Sequence, residues 1–303
     1  MNSIIQLFAE NLLPILIVAG IGFSLQRLLK INPRPISQII FNAFTPSLIF
    51  TLLLNTEIQA ANMGRMALLS ILTTFSVGTL AWLLGKALRL PGNILSALIL
   101  TVIGMNAGNF GLSLNYFAFG EEALAWASIY FVTNSLLINS VGVYVATIGK
   151  MSPSRALLGL LKVPAVYTIP LAFIVRGLQI ELPLAIWRPI ELMSSAAIPC
   201  MLLILGMQIG NSGLPKRPGL LGITTFLRLI ISPGIAFVFA NILNLSGAAF
   251  QAGILESAVP TAVITSIISL EFDTEPSFVT SAILVTTLLS PITLTPLLAI
   301  LGA

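Results

Sequence analysis

Two helix-breaking clusters lie inside otherwise apolar segments, about 150 residues apart. The first, residues 104–111, reads Gly-Met-Asn-Ala-Gly-Asn-Phe-Gly, and the second, residues 256–261, reads Glu-Ser-Ala-Val-Pro-Thr. Glycine and asparagine favour non-helical backbone, and proline removes an N–H donor. In lipid, such backbone occurs only where protein buries it or water reaches it. Interrupted segments at corresponding places in two halves are typical of a transporter's binding site.

The chemistry expected of these clusters is the binding of an anion. A break in the first cluster starts a new half-helix with free N–H groups, where the helix dipole favours negative charge. We expect Asn106, Asn109 and Thr261 to hold a carboxylate by donated hydrogen bonds. The alternative is that the small residues serve close helix packing and that Pro260 makes a structural kink.

Two charges are expected within the membrane, Glu256 and Arg228. Intramembrane ionisable residues are costly and are candidates for function. One interpretation is that the two neutralise each other as a buried pair; the other is that Glu256 binds a coupling proton or Na⁺. Thr133 and Asn134 could supply further oxygens to an ion, or they could make ordinary interhelical hydrogen bonds.

The composition predicts what positions these residues. The chain has 303 residues, of which 57% are hydrophobic and 8% charged, whereas a soluble domain carries roughly 25% charged residues. We expect an all-α polytopic membrane protein without a signal peptide. Apolar runs predict ten spans, at 4–26, 36–54, 66–88, 93–117, 123–148, 157–175, 188–209, 219–243, 248–270 and 277–301.

Several classes of protein are disfavoured by residue types. The chain has no histidine and a single cysteine, Cys200, so an intramolecular disulfide, a cysteine metal cluster and the usual general base are absent. The basic residues sit in short loops and form no patch for nucleic acid. We expect no cofactor and no enzymatic activity.

Basic residues predict the orientation. The loops after the first, third, fifth and seventh spans hold ten lysines and arginines, and the opposite loops hold three: Arg65, Arg176 and Arg188. The positive-inside rule places the basic loops in the cytoplasm and both termini outside. One loop departs from this pattern, since residues 271–275 carry three acidic side chains and no cation.

Five spans per half predict two repeats of opposite orientation. These are residues 1–149 and 157–303, joined by a polar cytoplasmic linker at 150–156. Prolines support the pairing, although 18 prolines also allow coincidence: Pro14 matches Pro164, Pro46 matches Pro199, and the first cluster matches Pro260.

Three segments carry a family resemblance: Gly-Asn-Phe-Gly at 108–111, Ala-Val-Pro-Thr-Ala-Val at 258–263, and Ser-Ala-Ile-Leu-Val-Thr-Thr-Leu-Leu-Ser at 281–290. Segments 42–50 and 198–202 add to them. Over nearly its whole length the chain resembles the auxin efflux carrier family of bacterial permeases, which includes malonate-type transporters and is related to the plant auxin carriers.

The resemblance implies ten helices in two inverted five-helix repeats. Spans one, two, six and seven would form a scaffold that often dimerises, and broken helices four and nine would cross at the substrate site in the mobile core. Ser113 departs from the family, since many relatives have a proline shortly after the first motif. Carried onto this sequence, the crossing motifs are Asn106, Asn109, Gly111, Pro260 and Thr261.

We therefore expect a homodimeric secondary carrier for a small organic anion in a bacterial inner membrane, working by alternating access. One alternative is a Na⁺-coupled symporter of the bile-acid type, which shares the architecture and uses a carboxylate in its ninth helix. The other is a membrane sensor that binds an anion without moving it.

Overall fold

A computed structural model describes residues 4–56, 60–147, 164–210 and 217–303, which are almost entirely helical. Gly120 has a φ of 78° and divides the helical stretch Ala107–Ala146 into two helices. The helices are α1 (Ile4–Leu29), α2 (Pro33–Asn55), α3 (Ala60–Ala87), α4 (Gly92–Ile103), α5 (107–119), α6 (121–146), α7 (Ala165–Gly177), α8 (Leu184–Gly210), α9 (Pro218–Ile242), α10 (Gly247–Ala258), α11 (Ile264–Glu271) and α12 (Pro276–Leu301).

Seven of these stretches are long and apolar enough to cross a membrane: α1, α2, α3, the α5–α6 pair, α8, α9 and α12. Their outer faces are apolar too, since Leu28, Leu192 and Ile300 are 80%, 74% and 72% exposed. Exposed side chains of this kind are stable in lipid and costly in water. The prediction of an all-helical, multi-pass membrane protein is confirmed.

The predicted fourth and ninth spans are each divided into two shorter helices. The helix ends at Ile103 and resumes at Ala107, and it ends again at Ala258 and resumes at Ile264. We call residues 104–106 the first break and residues 259–263 the second break. Within the predicted helix-breaking stretch 104–111, the break itself covers only residues 104–106, because residues 107–112 already form one wide π-helical turn.

Helices α1 and α8 approach each other closely because glycines face the contact. A Cβ added at Gly22 would overlap the carbonyl oxygen of Leu203, and a Cβ added at Gly206 would overlap that of Ala19. Small residues at such a crossing let two backbones touch, which is the usual way that membrane helices associate.

The predicted acidic exception in the loop at 271–275 lies beside a cation. Glu275 Oε1 is 3.2 Å from Arg217 Nη2, and Asn93 Nδ2 donates to the same oxygen at 3.2 Å. These contacts bring the first residues of α4, α9 and α12 together at one end of the molecule. The Thr274 hydroxyl also donates to the carbonyl of Ala146, at the end of α6, over 3.0 Å.

Some predictions fall outside the described residues. These are the linker at 150–156, the first part of the sixth span, and four of the basic loop residues, namely Lys150, Arg155, Lys162 and Lys216.

Candidate functional site

The two breaks lie against each other and pair as antiparallel extended backbone. The N–H of Asn106 donates to the carbonyl of Pro260 over 2.8 Å, and the N–H of Ala262 donates to the carbonyl of Gly104 over 2.8 Å. Met105 and Thr261 face each other between these bonds. The pairing satisfies backbone groups that would otherwise be orphaned in an apolar interior.

The second break follows from its proline. Pro260 cannot donate to the carbonyl four residues earlier, and it disfavours helical backbone at the residue before it. Val259 accordingly is extended, with φ −66° and ψ 155°. The helix therefore ends at Ala258, and Glu256 and Ser257 are in its last turn rather than in the break.

The carbonyl groups at the end of α4 accept hydrogen bonds from outside the helix. A helix leaves its last carbonyls without intrahelical partners, and here four donors from three other parts of the chain bind them. Thr261 Oγ1 donates to Thr101 (2.9 Å), Arg228 Nη1 to Val102 (2.8 Å), Asn134 Nδ2 to Ile103 (3.3 Å) and the N–H of Ala262 to Gly104 (2.8 Å).

Arg228 joins the ends of both broken helices. Its side chain is fully buried and sits in a π-helical turn of α9, a local widening that is frequent at functional sites. Besides Val102 on α4, the guanidinium donates to Val259 over 2.9 Å and to the carbonyl of Ser257 at the end of α10. Its three nitrogens thus all bind backbone carbonyls.

Glu256 is held by an asparagine and not by the arginine. Its carboxyl is fully buried, and Oε1 accepts a hydrogen bond from Asn115 Nδ2 at 2.9 Å. Among the described residues Arg217–Glu275 is the single ion pair. The two buried charges, Glu256 and Arg228, therefore interact at longer range without forming a direct ion pair. Glu256 Oε2 has no hydrogen-bond partner among the residues that the structure describes.

Gly111 lies directly under this carboxyl. A Cβ added at Gly111 would overlap the carboxyl group of Glu256. The backbone carbonyl of Gly111 accepts a hydrogen bond from Asn115 Nδ2 at 2.9 Å. The same amide group of Asn115 therefore binds both the helix backbone and the carboxyl of Glu256. The sequence reasoning missed Asn115; its signal was the spacing of four residues from Gly111, which puts the two on one helix face.

Asn106 and Asn109 both face the interior, with 4% and 5% of their surface exposed. Asn106 Nδ2 and Asn109 Oδ1 have no hydrogen-bond partner within the described part of the chain. A buried polar atom without a hydrogen bond is costly and commonly marks a place that a ligand or water fills. The carbonyl of Asn106 is satisfied, since it accepts from the N–H groups of Phe110 (3.2 Å) and Gly111 (3.0 Å).

The remaining predicted residues bind protein atoms. The Thr261 hydroxyl is used by α4, as described above, and its N–H donates to Thr286 Oγ1 over 3.1 Å. Asn134 also contacts Thr74 Oγ1 at 3.3 Å. Thr133 donates to the carbonyl of Ile129 in its own helix at 2.9 Å.

The breaks place helix ends of both signs at one spot. Helices α4 and α10 end there with negative dipole ends, and α5 and α11 begin there with positive ends. Arg228 lies at the negative ends, whereas Asn106 lies at the start of α5. In the part of the chain that the structure describes, no group of three histidine, cysteine or acidic residues is arranged to hold a metal.

Known proteins are similar to this chain over most of its length. Residues 7–298 match the family model described as "Membrane transport protein". The chain is 26% identical over 291 residues to an uncharacterized transporter of Methanothermobacter thermautotrophicus, covering 94% of this chain and 95% of the relative. It is 27% identical over 266 residues to a protein of Rhizobium meliloti with the provisional name of malonate transporter, covering 84% and 82%.

Proposed function

Because the chain belongs to the membrane transport protein family, whose members are transporters and not enzymes, we propose that it is a secondary carrier of a small organic anion. The name of the Rhizobium meliloti relative supports a dicarboxylate such as malonate as a first substrate to test. The observation that carries the proposal is the pairing of the two breaks, with Asn106 and Asn109 buried beside it.

The proposed anion site uses both asparagines and the helix starts. Asn106 Nδ2 is buried without a partner and can donate to a carboxylate. Asn109 would rotate its amide to do the same, and the positive end of α5 adds favourable potential. Gly111, Pro260 and Thr261 shape the site: the glycine gives room, the proline keeps the break open, and the threonine holds the end of α4.

Glu256 is the proposed site of a coupling ion, either H⁺ or Na⁺. Its unpartnered oxygen lies one helix turn from the break, so that the charge at Glu256 is felt by an anion bound there. Asn134 and Thr133 are further candidates for this role, because both donate their hydrogen bonds and so keep oxygen lone pairs for an ion.

Transport would follow alternating access, since the site is sealed in the described structure and needs motion to open. We propose ten spans in two inverted repeats, residues 1–149 and 157–303, with the first, second, sixth and seventh spans as a scaffold. The close glycine contacts between α1 and α8 favour a rigid scaffold. A homodimer through these helices, a bacterial inner membrane and external termini complete the proposal.

Uptake of radiolabelled malonate into proteoliposomes tests the site. Asn109→Ala should lower uptake by about tenfold or more, because it removes a hydrogen bond to a charged group. Asn241→Ala is the matched control, since Asn241 is an exposed helical asparagine whose side-chain amide donates to the carbonyl of Phe237 in its own helix. Wild-type uptake by folded Asn109→Ala would contradict the site, and saturable malonate binding without any flux would identify a sensor instead.

A further inference from the structure

Arg228 occupies a position that suits a metal cation. In transporters with broken helices, unwound carbonyls and the C-terminal ends of half-helices coordinate the coupling Na⁺. Here the corresponding carbonyls are Val102 on α4, and Ser257 and Val259 at the end of α10. All three accept from the guanidinium of Arg228, whose side chain has no exposed surface.

The positive charge of Arg228 alone balances the negative dipole ends of α4 and α10. Each helix C-terminus carries roughly half a negative charge, so the ends of α4 and α10 together come to about one. A single guanidinium offsets that charge, and its planar fork reaches several carbonyls at once. A metal ion added here would bring a second positive charge to carbonyls that already have donors.

We propose that Arg228 is a built-in cation that takes, at the ends of α4 and α10, the place a coupling metal ion would need, so that this carrier works without Na⁺ and leaves Glu256 as a proton site. This inference rests on the proposed function only in assigning a coupling role to Glu256. It deepens that function by choosing between the two ions.

The surroundings of Glu256 favour a proton. A buried carboxylate is stable only when it is paired or neutralised, and Arg228 is committed to carbonyls. Helices α3, α5, α6, α9 and α12 pack against α10, and the ionisable groups that face Glu256 from them are Arg228 and Tyr130, both fully buried. Helix α12 has none, and the others on these helices are exposed: Arg65, Lys86, Tyr116, Glu121, Glu122 and Tyr144.

The wild-type protein gives the first test. Malonate uptake at fixed pH should be unchanged when Na⁺ is replaced by N-methylglucamine, and Na⁺ should not raise the unfolding temperature. An imposed pH gradient should change the uptake rate, and Glu256→Gln should abolish that response. Uptake that needs Na⁺, stabilisation of the wild type by Na⁺, or an unaltered pH-gradient response in Glu256→Gln would each overturn the proposal.

Arg228→Ala gives the second test, because it empties the cation position. Its unfolding temperature and uptake should fall, uptake by about tenfold or more, and guanidinium chloride at millimolar concentration should restore part of both. Arg176→Ala is the control, since Arg176 also donates to helix-end carbonyls, those of Leu53 and Thr56, but far along the chain from either break. It should show no such restoration.

The two tests separate this proposal from the proposed function. If folded Arg228→Ala behaves as the wild type, or gains nothing from guanidinium, the built-in cation is wrong. If Arg228→Ala does not fold, the effects of Na⁺ on the uptake and the unfolding temperature of the wild type still decide whether the built-in cation is correct. If the wild type takes up neither malonate nor any other small carboxylate tested in the same way, the proposed function fails, whereas the effects of Na⁺ and guanidinium on unfolding temperature continue to test Arg228.

Discussion

Gly111 lets a buried acid lie on the backbone of a helix. The carboxyl of Glu256 occupies the volume where any side chain at position 111 would begin, and Asn115 binds that carboxyl and the carbonyl of Gly111 with the same amide group. The glycine is therefore required by the position of the acid and not by its own backbone angles. Adding one methyl group at position 111 would therefore displace the carboxyl of Glu256, which is the proposed ion site.

Gly111→Ala should abolish malonate uptake, because the added methyl group displaces Glu256 from Asn115. Overpacking of this kind costs about 1–3 kcal/mol, which should appear as a lower unfolding temperature. Gly234→Ala is the control, since a Cβ at Gly234 meets nothing within 4 Å. Normal uptake by Gly111→Ala would show that the carboxyl need not stay in this place.

The two breaks show how far sequence patterns reach at the scale of the element. Pro260 indicated closely where the helix before it ends, because the effect of a proline on the preceding residue and on a carbonyl four residues back is local, although Glu256 and Ser257 are still helical. Glycine and asparagine permit a break without fixing where it ends, and the first break is over by Ala107. Gly108 and Gly111 serve close packing instead, against the ring of Phe131 and the carboxyl of Glu256.

Arg228 could not be understood from sequence. Pattern reasoning pairs a buried cation with a buried acid, whereas its partners are carbonyls of residues 102, 257 and 259, which lie on two helices far apart in the chain. Those carbonyls become acceptors only because both helices break. The acid in turn binds Asn115, whose only signal in the sequence was its spacing of four residues from Gly111.

Pro260→Ala tests the second break as an element. Alanine at this position restores an N–H that can donate to the carbonyl of Glu256, and it relieves the restriction on Val259, so α10 can extend toward α11. We expect malonate uptake to be lost while the protein stays folded, as measured by its unfolding temperature.

The control for that change is Pro296→Ala, because Pro296 lies inside the unbroken helix α12. It should retain most of the uptake. If Pro260→Ala carries malonate as well as Pro296→Ala does, the proline is not what keeps the site open.

At the scale of the whole molecule, membrane class and helix positions follow from apolar runs, because lipid imposes a length and a composition on every span. The grouping of helix ends is a different matter. The contact of Glu275 with Arg217 and Asn93 joins residues up to 182 positions apart, and the charge pattern alone marked that acidic loop as an exception. In the folded chain the acidic loop has a cation beside it, because Arg217 and Asn93 both contact Glu275.

Gly206→Val tests the packing of α1 on α8. The larger side chain would push against the backbone of Ala19, and we expect destabilisation of about 1–3 kcal/mol, seen as a lower unfolding temperature in detergent. Gly20→Val is the control, since nothing lies within 4 Å of a Cβ at Gly20. Equal unfolding temperatures for the two variants would contradict a tight contact between these helices.

The central claim is that the paired breaks form the anion site, and a crystal structure with bromomalonate tests it most directly, because the anomalous signal of bromine locates the ligand. We predict a bromine peak beside residues 104–106 and 259–263, within contact distance of the side chains of Asn106 and Asn109. A peak elsewhere in the protein, or breaks that are separated or continue as unbroken helix, would contradict the account.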